Sequence, residues 1–255
     1  MAKLSEVFLK RNALITFVTA GDPSLPMTEK LVLGLEKAGA DIIELGVPFS
    51  DPLADGPVIQ ASHLRALKKN VSLAEVFKLV AKLRKKTSIP LCFMLSYNLI
   101  LKYGVEKFYA DCGRFGVNGV IVPDLTPEEY AVGSKQYAVD TIFFVAPTST
   151  EERIKLVAER SSGFIYLISV AGITGKREKL AENLPELVAH IRKYSKLPIA
   201  VGFGISKPAQ AREAAQWADG VIVGSALVEL ISQKKFKAVF KLVSSLRQAL
   251  DDLSA

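Results

Sequence analysis

Residues 42–60 read IIELGVPFSDPLADGPVIQ, a short apolar run followed by a segment rich in proline and aspartate. The pattern predicts a buried strand that ends in a loop. Side chains alternate along a strand, so Glu44 shares a face with Ile42, where an apolar residue is expected. If that face points into a packed interior, burial raises the pKa of the Glu44 carboxyl and makes it a general acid near neutral pH.

A second carboxylate, Asp55, follows in the predicted loop. We expect it to have more access to water than Glu44 and to remain ionised. One neutral carboxyl and one charged carboxylate in a shared site are typical of enzymes that separate an acid from a base. The competing interpretation is structural, in which Glu44 ends a strand and the prolines and aspartates only form turns.

Short apolar runs alternate with longer amphipathic runs along the whole chain of 255 residues. The predicted strands are residues 14–18, 42–45, 91–95, 119–122, 142–145, 164–168, 199–201 and 221–223. The predicted helices are residues 28–38, 64–86 in two pieces, 105–115, 127–137, 150–160, 184–194, 208–217 and 236–253. Buried strands that alternate with helices pair in parallel through right-handed crossovers.

Eight such units in a chain of this length indicate an α/β fold, a (β/α)₈ TIM barrel formed by one domain over residues 1–255. An additional N-terminal helix is predicted at residues 5–10. The alternative is an open, doubly wound sheet, which has no particular reason to stop at eight units.

The composition of 49% hydrophobic and 23% charged residues is that of an ordinary globular protein. The net charge of +7 arises from basic residues on solvated helix faces, without the interleaved aromatic residues typical of nucleic-acid binding. No apolar run reaches the roughly 20 residues of a membrane helix, no signal peptide is evident, and a cytoplasmic location is expected. Cys92 and Cys112 are predicted to be reduced core thiols, and His63 and His190 fall inside helical patterns. No spacing of ligands indicates a metal.

Glycine-rich segments follow the last two predicted strands, VGFGIS at residues 201–206 and VGSALV at residues 223–228. Active sites of TIM barrels lie at the carboxyl ends of the strands, and the loops after strands seven and eight often bind phosphate. Exposed amides near Gly204 and Gly224 therefore predict a phosphate site, unless these glycines only permit tight turns. The candidate apolar walls of the site are Phe17, Ile121, Tyr166 and Phe203.

Residues 44–60 resemble the signature of the tryptophan synthase alpha chain family very closely. The similarity continues in the same order through FVTAGDP at residues 17–23, the loop at 172–175, GFGIS at 202–206 and the pair Gly224 and Ser225. It extends over essentially the whole chain. The resemblance implies a lyase that cleaves indole-3-glycerol phosphate into indole and glyceraldehyde 3-phosphate by a retro-aldol reaction.

The resemblance also implies residue roles. Glu44 matches the acid and base that protonates indole C3 and helps to take the proton of the glycerol hydroxyl. Asp55 matches the residue that stabilises positive charge at the indole nitrogen. Thr174 matches a position that hydrogen-bonds this aspartate when the loop after strand six closes. The matches to phosphate-binding positions are Gly175, Gly204, Gly224 and Ser225.

A partner is implied as well, a β subunit that carries pyridoxal phosphate and receives indole through a tunnel, in an α₂β₂ tetramer. Residues 48–51 and 98–102 match the regions that face this subunit, and no cofactor is expected in the chain itself. Two residues depart from the family pattern. Ser96 stands where the family usually has a tyrosine, and Thr126 stands where proline is common.

Two other functions remain open from the sequence. One is a non-catalytic or weakly active subunit that binds the phosphate ligand and activates the β subunit. The other is a barrel that acts on another phosphorylated metabolite, as a sugar-phosphate isomerase does.

Overall fold

The computed structural model describes residues 4–130, 137–168, 184–202 and 204–253. Its strands are β1 (Ala13–Thr19), β2 (Ile42–Gly46), β3 (Leu91–Met94), β4 (Gly119–Ile121), β5 (Asp140–Ile142), β6 (Phe144–Val145), β7 (Ile165–Ile168), β8 (Ile199–Gly202) and β9 (Gly220–Val223). They form one sheet in the order β5-β4-β3-β2-β1-β9-β8-β7-β6. All neighbouring pairs are parallel. The two end strands of this order are consecutive in the chain, so the sheet closes into the predicted barrel.

The fifth strand of the barrel is divided, which differs from the single strand predicted at residues 142–145. Strand β5 pairs with β4, whereas β6 pairs with β7, and Phe143 lies between them. Strands of a closed barrel are staggered, so one strand meets one neighbour along its first part and the other neighbour along its second part. The two halves therefore occupy one strand position of an eight-position barrel.

The helices are α1 (Leu4–Val7), α2 (Leu25–Lys37), α3 (Pro57–Leu67), α4 (Leu73–Arg84), α5 (Tyr97–Tyr103), α6 (Val105–Phe115), α7 (Glu151–Arg160), α8 (Leu184–Arg192), α9 (Pro208–Ala215), α10 (Ser225–Ser232) and α11 (Phe236–Asp251). Several begin at a side chain that accepts a hydrogen bond from the first turn, as Ser72 and Thr150 do. Within the described ranges, no helix is long and apolar enough to cross a bilayer.

Some helix predictions were wrong. Helix α1 is a single turn that ends earlier than the predicted helix at residues 5–10. Helices α5 and α10, of seven and eight residues, were not predicted. Residues 127–129 form a turn instead of starting the helix predicted at 127–137, of which residues 131–136 lie outside the described chain. The Thr126 amide and hydroxyl both donate to the Glu129 carboxylate, at 3.2 and 2.8 Å, and so favour this turn.

Two layers of apolar side chains pack on the sheet, one between the strands and the helices and one inside the barrel. In β2, Ile43 and Leu45 belong to the outer layer, whereas Ile42 belongs to the inner one. Glu44 alternates with Ile43 and Leu45 and therefore points into the barrel interior. Cys92 and Cys112 are buried free thiols, as predicted.

Candidate active site

A cavity of about 320 Å³ lies at the carboxyl ends of the strands. Its described walls come from β1, β2, β3, β7 and β9 and from the segments that follow β2, β8 and β9. Glu44 and Asp55 both line it, together with Gly204, Gly224 and Ser225. The fold thus brings the two predicted carboxyl groups and the predicted phosphate segments to one space.

Glu44 is the middle residue of β2 and lies between Phe17 of β1 and Cys92 of β3 in the strand register. Glu44 is only 1% exposed, and neither of its carboxyl oxygens has a hydrogen-bond partner among the described residues. Burial raises the pKa of Glu44 from 4.5 to about 8, because the charged form loses its hydration. At neutral pH the side chain is therefore a protonated acid at the wall of the cavity.

Asp55 is held in the turn that precedes α3. Its amide donates to the Pro52 carbonyl at 3.0 Å, and its own carbonyl accepts from Nε2 of Gln60 at 2.8 Å. The side chain is 14% exposed, less than a position in a loop predicts. Burial raises the pKa of Asp55 to about 6, so the carboxylate is mostly ionised at neutral pH while Glu44 is mostly protonated.

His63 adjoins Asp55, although the sequence predicts no role for it beyond a position in a helical pattern. Its Nδ1 accepts a hydrogen bond from the Phe49 amide at 3.0 Å, and its Nε2 lies 3.7 Å from Oδ2 of Asp55. Burial lowers the pKa of His63 to about 4, which the negative charge of Asp22 opposes only in part. The ring is therefore neutral at physiological pH. This contact depends on how α3 packs, so no spacing in the sequence indicates it.

The apolar walls agree only in part with the predicted set. Phe17 and Tyr166 line the cavity, and burial raises the pKa of the Tyr166 phenol well above its ordinary range. Ile121 is buried in the inner layer of the barrel but does not line the cavity. No residue of β4 belongs to the described lining. Phe203 lies outside the described residues. Several other residues line the cavity that were not predicted from the sequence, namely Val58, Ile59, Met94, Ile205, Ser206, Ile222, Ala226 and Glu229.

The predicted phosphate end of the cavity combines a glycine turn with a helix start. Gly204 has φ +89°, a backbone conformation that favours glycine. Ser225 and Ala226 occupy the first two positions of α10, where backbone amides have no partner within the helix. Free amides and the positive end of the helix dipole suit an anion. The predicted residues Thr174 and Gly175 lie outside the described chain.

A second cavity, of about 290 Å³, shares Phe17, Asp55 and Met94 with the first. It extends toward the loop after β2, where Phe49 and Leu53 line it. Asp55 therefore stands at the boundary between an interior space and one that reaches the rim of the barrel.

Ser96 also lines the second cavity, at the position where the family resemblance leads one to expect tyrosine. Its hydroxyl donates to Oδ2 of Asp124 at 2.5 Å, and the Tyr97 amide donates to Oδ1 of the same carboxylate at 2.8 Å. Ser96 also accepts from the Asn98 amide at 3.3 Å and so caps α5. The serine thus fixes the start of a helix and links the ends of β3 and β4.

This arrangement suits a molecule with an apolar ring and an anionic tail. A neutral acid and an ionised carboxylate face a space with apolar walls, and an anion site lies at its other end. Such a pair can donate a proton to one atom while it stabilises positive charge at another.

The chain is similar in sequence and in structure to known proteins of one family. Residues 4–253 match the family model described as Tryptophan synthase alpha chain. The chain is 47% identical over 248 residues to the tryptophan synthase alpha chain of Thermoanaerobacter sp. (strain X514), which covers 94% of each sequence. It is 50% identical over 244 residues to that of Geotalea daltonii, which covers 94% of this chain and 92% of the relative. A solved structure of Mycobacterium tuberculosis tryptophan synthase is 37% identical, with a TM-score of 0.91 over 98% of this chain and 99% of the matched chain.

Proposed function

We propose that this chain, which belongs to the tryptophan synthase alpha chain family, uses Glu44 and Asp55 as its catalytic pair. The chain is a carbon–carbon lyase that cleaves indole-3-glycerol phosphate into indole and glyceraldehyde 3-phosphate. The observation that carries the residue assignment is that one cavity holds both carboxyl groups, with the pKa of Glu44 raised to about 8 and that of Asp55 to about 6.

In the proposed mechanism, protonated Glu44 first transfers its proton to C3 of the indole ring. The ring then carries a positive charge, shared with the nitrogen, and the bond from C3 to the glycerol carbon is weakened. The Glu44 carboxylate next accepts the proton of the adjacent glycerol hydroxyl as this bond breaks. The electron pair of the bond returns to the ring, so indole and the aldehyde are released and Glu44 ends protonated, as it began.

Asp55 is proposed to stabilise the cationic ring. The intermediate places positive charge at the indole nitrogen, and an ionised carboxylate at that point lowers its energy in a cavity with largely apolar walls. The order of the two pKa values supports this division, because near pH 7 Asp55 is mostly charged while Glu44 still holds a proton.

The phosphate of the substrate is proposed to bind at the opposite end of the cavity. Support comes from the backbone at Gly204 and Gly224 and from the first turn of α10 at Ser225, all of which line the cavity. Main-chain amides can hold the phosphate without a basic side chain. The proposed contacts of Thr174 and Gly175 remain predictions from the resemblance.

The chain works with a tryptophan synthase beta chain, which carries the pyridoxal phosphate. We propose an α₂β₂ assembly in which indole leaves through the second cavity. Support comes from its lining, which includes Asp55 and also Phe49 and Asn98, two residues in the segments that resemble the β-facing regions of the family. A cytoplasmic location is also proposed, since the described cysteines are unpaired thiols.

Indole release by two variants tests the assignment. Glu44→Gln and Asp55→Asn should each lower kcat by about 10²- to 10⁴-fold, the range typical of a lost acid or base. Glu213→Gln, at an exposed position of α9, is the control for a lost carboxylate and should keep the wild-type rate. Folding of each variant is checked by circular dichroism. A folded variant that releases indole at the wild-type rate would falsify the role of that residue.

A further inference from the structure

His63 has a buried hydrogen-bond donor with no partner. A backbone amide can only donate, so the bond from the Phe49 amide leaves Nδ1 without a proton. The proton of the neutral ring is therefore on Nε2. That nitrogen has no hydrogen-bond partner among the described residues, although the residue is only 4% exposed. A buried donor without a partner is costly and is found mainly where function requires it.

The Nε2–H group faces the Asp55 carboxylate. The distance from Nε2 to Oδ2 is 3.7 Å, and an ordinary N–H···O bond of about 2.9 Å would need the two atoms to approach by about 0.8 Å. Both side chains are largely shielded, with 6% of the His63 side chain and 14% of the Asp55 side chain exposed. A hydrogen bond formed here would therefore be stronger than one formed in water.

The histidine is held firmly, so the approach must come from the aspartate. The Ser62 hydroxyl lies 2.5 Å from the Thr19 hydroxyl, and Arg65 donates two bonds to Asp22 at 2.8 and 2.7 Å. These contacts connect the residues on both sides of His63 to the end of β1 at Thr19 and to Asp22 in the turn after it. The carboxylate of Asp55, by contrast, has no hydrogen-bond partner among the described residues, and His63 Nε2 approaches it only to 3.7 Å.

We propose that His63 is a positioning residue for Asp55, donating its Nε2–H to the carboxylate when substrate fills the cavity and so keeping it charged and directed at the indole nitrogen. The inference rests on the proposed function of Asp55. A donor to the charged form of a carboxylate favours that form and lowers its pKa, which opposes the effect of burial. Since the ring also accepts from the Phe49 amide, one side chain links the two ends of the loop after β2.

Other titratable groups surround the pair and remain the same in the proposed variants. Asp22 is already bonded to Arg65, and Glu44 and Tyr166 lie across the first cavity. Two more carboxylates line the second cavity, Asp51 and Asp124. None of these groups is a hydrogen-bond partner of His63 Nε2.

Two substitutions separate the two nitrogens of the ring. His63→Asn offers an acceptor near the position of Nδ1 but is too short to reach Asp55. His63→Gln carries an amide donor out to the position of Nε2 but loses the acceptor for Phe49. The control is the same change at the other histidine of the chain, His190→Asn, in α8 and away from the cavity.

The rate of indole release is measured from pH 5 to pH 9, with and without the beta chain. In His63→Asn, the acid limb of the profile should move up by about one pH unit, and kcat at pH 6 should fall by about fivefold, since the pKa of Asp55 is about 6. His63→Gln should restore the acid limb, and His190→Asn should leave the profile unchanged. A wild-type acid limb in folded His63→Asn would overturn the inference, as would a shift of the same size in His63→Gln.

A second measurement does not depend on these variants folding. In Glu44→Gln, which should bind substrate without cleaving it, the imidazole ¹⁵N and ¹H resonances of His63 are recorded before and after addition of indole-3-glycerol phosphate. An Nε2–H tautomer whose proton moves downfield on binding supports the inference, and an Nδ1–H tautomer or an unchanged proton at saturation contradicts it. Failure of the proposed function would instead appear as full activity in Glu44→Gln and Asp55→Asn.

Discussion

Replacing Glu44 with glutamine should remove a pH dependence of stability that the barrel interior creates. The pKa of this carboxyl rises from its ordinary value of 4.5 to about 8 because the residue is buried. The folded protein therefore keeps a proton that the unfolded chain releases. The contribution of this bound proton to the free energy of unfolding is complete below pH 4.5 and is lost as the pH rises toward 8.

The size of this effect follows from the difference between the two pKa values. From 4.5 to about 8, at about 1.4 kcal/mol per pH unit, the loss approaches about 5 kcal/mol at alkaline pH. Between pH 5 and 7 it amounts to about 2–3 kcal/mol.

The assay is urea unfolding followed by circular dichroism at pH 5, 7 and 9 for wild type, Glu44→Gln and the control Glu213→Gln. The free energy of unfolding of Glu44→Gln, taken relative to wild type, should increase from pH 5 to pH 7 and again to pH 9. The glutamine amide also changes the free energy of unfolding, by an amount that does not vary with pH. The test is therefore how the difference between variant and wild type changes with pH. Curves for wild type and Glu44→Gln that stay parallel from pH 5 to pH 9 would refute the claim that burial suppresses ionisation of Glu44.

Three further predictions concern the reaction and its supports. Indole release should rise as the pH passes about 6, where Asp55 ionises, and fall as it passes about 8, where Glu44 loses its proton; a flat rate across this range would contradict both roles. Gly204→Ala places a side chain at φ +89°, so it should lower the free energy of unfolding in urea by about 1–2 kcal/mol. Because Gly204 lies at the proposed phosphate end of the cavity, the variant should also raise KM more than it lowers kcat. Ser96→Ala removes a bond to Asp124 and a helix cap, and we expect a loss of about 1 kcal/mol in unfolding free energy with kcat unchanged; a large fall in kcat would place the serine in the reaction itself.

The alternation of apolar and amphipathic runs determined the barrel, because a strand buried on both faces and followed by a helix leaves few ways to pair. The period of two along a strand also determined that Glu44 shares the inner face with Ile42, which the structure places in the barrel interior. The order of the glycine-rich segments located the candidate phosphate end after β8 and β9. All of these inferences use neighbours in sequence or the order of elements, which a single chain displays directly.

Other features were decided only by tertiary structure. The division of the fifth strand at Phe143 results from the stagger of a closed barrel, which no local pattern records. The limited exposure of Asp55 and its approach to His63 require α3 to lie against the turn after β1, where Arg65 meets Asp22. Burial and the direction of a ring nitrogen depend on which residues of distant segments surround a side chain, so they emerge only when those segments are packed.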